Sequence, residues 1–155
     1  TNLLILWLAV MSLVVGLIIF GTGELLVISN HTVIIFEKSD ILWRFLLAYG
    51  FASLGMSVVA SLAFLFSSLV ENSIGPIVST MAVIIVFIIL SAINIDFFQV
   101  IKPYLFTNYI LSWRLFFDDP VDFAEVTKAT LILTGHIAIF FSLARYLFKR
   151  KDILT

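Results

Sequence analysis

Two uncharged stretches meet across a single acidic residue. Phe45 to Val70 and Asn72 to Ile95 carry no charge, and only Glu71 separates them. The first is 26 residues long and the second 24. A helix rises about 1.5 Å per residue, so roughly 20 apolar residues cross the ~30 Å hydrocarbon core of a bilayer. Either stretch reaches that far. Membrane barrel strands are about 10 residues long and alternate in polarity. These runs are longer and show no sustained alternation, so strands are not expected. Two helices joined by so short a polar break form an antiparallel pair whose turn lies at one membrane surface.

The rest of the chain has the same character. Of its 155 residues 62% are hydrophobic and 12% charged, whereas a soluble domain carries about 25% charged residues. A soluble fold of this size exposes too much of its area to hide so much apolar surface. Lipid is therefore the expected solvent, and the fold class is all-α, a polytopic helical membrane protein. Spans are expected at about 3–28, 41–70, 74–95 and 128–148. The first contains no charge from Leu3 to Phe20 and is read as continuing past Gly21 and Gly23 toward Ile28. Pro76 falls in the first turn of the third, where a missing N–H costs little. Arg145 lies near the end of the fourth and can snorkel to the headgroups.

The segment 96–127 is aromatic, with Phe97, Phe98, Tyr104, Phe106, Tyr109, Trp113, Phe116 and Phe117. Aromatic residues with a few charges suit the membrane interface. It is read as an interfacial connector of one or two short helices. Arg145, Lys149, Arg150 and Lys151 crowd the C-terminus, so the tail 149–155 is expected on the cytoplasmic side. Lys38, Arg44, Lys102, Arg114 and Lys128 then fall outside. Four spans place the Glu71 turn inside with the tail.

Several chemistries have no residues to carry them. There is no cysteine, and the basic residues form no stripe that would suit nucleic acid. No G-x-x-x-x-G-K-[ST], H-E-x-x-H or G-x-S-x-G occurs, so neither a P-loop, a zincin site nor a serine elbow is available. Two histidines make no metal centre, and no catalytic residue is assigned. Polar residues inside the spans are few. Gly50, Ser53, Ser57 and Ser61, with Ser68 beyond, recur on one helix face and read as a packing seam, because small side chains let backbones approach in lipid. His136 in the fourth span is read either as a proton relay or as a neutral ring bonded to a neighbouring helix. Glu24 is expected at the outer interface, and Asn30-His31-Thr32 is a formal glycosylation triplet.

The stretch "ASLAFLFSSLVENSIGPIVSTMAVIIVFIIL", Ala60 to Leu90, resembles the core of ABC-2 type transporter permeases. "FTNYILSWRLFFDDPVDF" and the closing "ARYLFKRKDIL" are similar to that family's last connector and basic tail. The resemblance covers essentially the whole chain. It implies a permease of six spans, of which this chain holds the last four and lacks two before them, in keeping with a start at Thr1 directly in an apolar run. It implies a multi-pass exporter in a bacterial or archaeal cell membrane. It also implies a second permease subunit, identical or related, and two ATP-binding cassette ATPase subunits that hold ATP and Mg. No cofactor is expected in this chain. By the same resemblance the turn Ser68, Leu69, Val70, Glu71, Asn72 and Ser73 meets the ATPase. The third span lines the path, with Ser79, Thr80, Ser91 and Asn94 as its polar residues. A non-transporting membrane scaffold is the alternative from another class.

Overall fold

A computed structural model describes residues 2–21, 25–29, 32–93 and 100–151. Helix α1 runs Asn2–Phe20. A two-stranded antiparallel hairpin follows, β1 at Leu25–Ser29 and β2 at Thr32–Phe36, with Leu25 opposite Phe36 and Ser29 opposite Thr32. Helix α2 is Lys38–Leu69 and α3 is Gly75–Ala92. The connector is a series of short turns: a 3₁₀ turn Lys102–Tyr104, helix α4 at Thr107–Ile110, and a 3₁₀ stretch Leu111–Phe117. Helix α5, Phe123–Lys151, closes the chain.

Three helices, Asp40–Leu69, Gly75–Ala92 and Phe123–Arg150, are long and apolar enough to cross a membrane, and Leu3–Ile19 forms a shorter apolar helix. A multi-pass membrane architecture is what their length and composition indicate. The hairpin is the departure from the expected helical reading. The first helix does not continue to Ile28. It ends at Phe20, where Gly21 takes φ +68° and returns its N–H to Leu17 O at 3.0 Å, a conformation that a residue with a side chain resists. The residues beyond are rich in β-branched types (Val27, Ile28, Thr32, Val33, Ile34, Ile35), which suit a pleated pair. Glu24, Asn30 and His31 lie outside the described residues, as do Asn94, Asp96, Phe97 and Phe98.

Each remaining helix has a local reason for its bounds. Asp40 sits in the first turn of α2, where a carboxylate complements the helix dipole. Val70 leaves the helix in extended conformation at φ −113°, ψ 133°. Pro76 lies in the first turn of α3. Asp122 caps α5: its Oδ1 accepts the N–H of Ala124 at 3.0 Å and of Glu125 at 3.1 Å. Helix α5 therefore begins at Phe123, ahead of the expected start near 128.

The core lies where the connector meets the helices. Phe106 is fully buried, with ring centroids 5.6 Å from Phe87 of α3, 5.6 Å from His136 and 6.1 Å from Phe140, both of α5. Helix α2 contributes Ala48, Phe51, Val58 and Leu62 to the same cluster, at helical spacing. Helices α2 and α5 run in parallel. Phe45 and Phe51 near the start of α2 pack on Phe117 and Phe116 just before α5, while Phe64 meets Phe141 and Phe148 further along. The bundle thus has two ends. The α2–α3 turn lies at the end where α5 finishes, and the connector lies at the other.

Candidate functional site: the elbow and the opposite end

The elbow is closed by a side chain on the backbone. Asn72 Oδ1 accepts the N–H of Gly75 at 2.6 Å, satisfying one of the free donors at the start of α3. A Cβ at position 75 would overlap Val70 Cγ1 and lie 2.7 Å from Asn72 Oδ1, so any other residue there must displace these side chains. Ser68 is buried and donates to Leu65 O at 2.6 Å. Leu69, Glu71, Asn72 and Ser73 are exposed, and Val70 is half-buried. A depression of about 540 Å³ is lined by Ser67, Val70, Glu71, Asn72, Ser73 and Pro76. Five exposed or half-buried turn residues are therefore held in one fixed shape at the end of two apolar helices. The basic end of α5, with exposed Arg145, Lys149 and Arg150, finishes at the same end of the bundle.

The polar residues of α3 are arranged differently. Thr80 is buried and donates to Pro76 O at 2.7 Å, and Ser91 donates to Phe87 O at 2.8 Å. Ser79 is half-buried, and Asn94 lies outside the described residues. The two bonded hydroxyls are spent on their own helix, an arrangement that carries a polar group through apolar surroundings without a partner helix.

The serines of α2 behave in the same way. Ser57 donates to Ser53 O at 2.8 Å and Ser61 to Val58 O at 2.8 Å, with Ser53 and Ser61 buried. Gly50 does not belong with them: it is exposed, and nothing lies within 4 Å of where its Cβ would be. The close approach occurs at Gly55, whose Cβ would stand 3.6 Å from Ile110 of α4. His136 donates through Nδ1 to Ile132 O at 2.8 Å, one turn back on its own helix, edge-on to Phe106 and Phe140.

The residue that sequence reasoning missed is Arg44. The sequence marks it only as an outer charge, yet it is 5% exposed. Its Nη1 donates to Phe116 O at 2.8 Å and Asp118 O at 2.9 Å. Its guanidinium lies over the rings of Phe36 and Trp43 at 4.3 and 4.9 Å, within cation–π range. Arg44 thereby ties the end of β2, the head of α2 and the end of the connector to one cation. The available signal was a lone charge at the head of an uncharged run, with Asp118-Asp119 elsewhere in the chain to meet it.

No family model matches the chain, and neither does any curated protein or solved structure.

Proposed function

We propose that this chain is the C-terminal membrane part of an ABC-2 type permease subunit, an exporter in a bacterial or archaeal cell membrane. In this reading α1 is a fourth span and two further spans precede it. The observation that carries the proposal is the elbow. It is short, held by the Asn72 side chain on the Gly75 N–H and largely exposed, and it shares its end of the bundle with the basic end of α5. A stiff turn transmits displacement to both attached helices, whereas a long loop absorbs it. Partner ATPases, holding ATP and Mg, would press on Ser68–Ser73 and rock α2 and α3 together. Access to a path against a second permease subunit would then alternate between the two sides. The basic end of α5, at the elbow's end of the bundle, suits the cytoplasmic side.

The test is a single Asn72→Cys variant in the assembled complex. A disulfide or maleimide cross-link to the ATPase is expected. An intact complex with no adduct would overturn the elbow's role. A second reading, a non-transporting scaffold, is favoured by the α3 hydroxyls. Thr80 and Ser91 are bonded to their own helix, which leaves α3 few polar groups to offer a cargo. A purified complex without any ATPase would decide for the scaffold.

A further inference from the structure

Arg44 uses half of its guanidinium. Nη1 serves both carbonyls. The opposite edge, formed by Nε and Nη2, is one that receives a carboxylate side-on through two parallel bonds. On that edge Nε is buried with no acceptor among the described residues. Nη2 faces Asp119 Oδ1 across 3.8 Å, beyond hydrogen-bond range. The Asp119 side chain is 62% exposed. The vacant edge and the carboxylate that matches it therefore stand one short movement apart.

We propose that Arg44 and Asp119 form a latch with two positions. The open position is the one described here. In the closed position both carboxylate oxygens of Asp119 seat on Nε and Nη2, drawing the end of the connector onto the head of α2. Closing gives the buried Nε–H its acceptor, which is costly to lack. It also takes the carboxylate out of water, which is costly in the other direction. These opposing costs keep both positions accessible. The latch governs how tightly Phe116, Phe117 and Val121 cover the core at this end, since all three pack in or against it. It stands on this chain's geometry alone and does not use the transport reading.

The chain has no cysteine, so Val121→Cys provides a single thiol at a half-buried position. Its labelling rate with a water-soluble maleimide, measured on the full chain in lipid nanodiscs, reads how often the cover loosens. Adding Asp119→Asn, at a site whose side chain is 62% exposed, is expected to raise the rate about twofold, the change from a half-populated to a fully populated open position. Asp119→Glu keeps the charge and is expected to label at the parent rate. Equal rates with and without Asp119→Asn would overturn the latch. So would an equal rise from Asp119→Asn and Asp119→Glu, because the effect would then follow from the shape of the turn and not from its charge.

Discussion

The two ends of this bundle are held by opposite means. At the elbow the decisive bond joins residues three apart in sequence, Asn72 and Gly75, and the shape follows from the absence of a side chain at Gly75. At the connector end one side chain, Arg44, reaches carbonyls 72 and 74 residues away. A local turn closes at small entropic cost and keeps its form whatever its surroundings do. A long-range clasp needs the whole connector in place, and it fails as a unit when its single cation lets go. One end is thus closed by a local bond and the other by a long-range clasp.

Substitutions at the two ends should differ in cost. The largest effect is expected from Arg44→Met, which keeps bulk but strands two carbonyls. Two charge-assisted bonds are lost, and the destabilisation should be about 3 kcal/mol. Thermal unfolding in detergent, followed by tryptophan fluorescence, measures it. A shift no larger than that of Ser57→Ala would mean that the clasp anchors nothing. Gly75→Ala comes next. Its methyl must push into Val70 and Asn72, for a loss of about 2 kcal/mol, and the elbow should become a better protease substrate. Unchanged proteolysis would show a turn that yields. Asn72→Ala is smaller, about 1 kcal/mol, the usual scale for removing a side-chain acceptor from a helix start. The same unfolding assay should rank the three in this order.

Much of this fold is legible in the residues, for reasons that differ along the chain. Helices α2 and α3 stand out because charge is costly in hydrocarbon; α3 and the end of α2 fall within three residues of the uncharged runs, while α2 begins seven residues earlier, at Lys38. The end of α1 is hidden because apolar content alone cannot separate a helix from a strand. "LLVIS" and "TVIIF" are as apolar as the helix before them, and only Gly21 and the β-branched residues mark the change. The start of α5 is hidden by Glu125 and Lys128, which look like a loop yet lie in a helix capped by Asp122. Spacing shows that the α2 serines share a face. It does not show that the hydroxyls of Ser57, Ser61 and Ser68 turn back to carbonyls of the same helix, nor that Gly50 faces open space. The elbow was legible as a short break between two spans, but its lock at Gly75 depends on a close approach that no pattern displays. Arg44 was the least legible, because its partners come from the far end of the connector.

The most direct test of this two-ended arrangement is sided labelling in sealed vesicles with a membrane-impermeant maleimide. Asn72→Cys, Lys149→Cys and Asp119→Cys would be prepared separately in this cysteine-free chain. Asn72→Cys and Lys149→Cys are expected to react from one side of the membrane and Asp119→Cys only from the other. Reaction of Asn72→Cys and Asp119→Cys from the same side would contradict the arrangement.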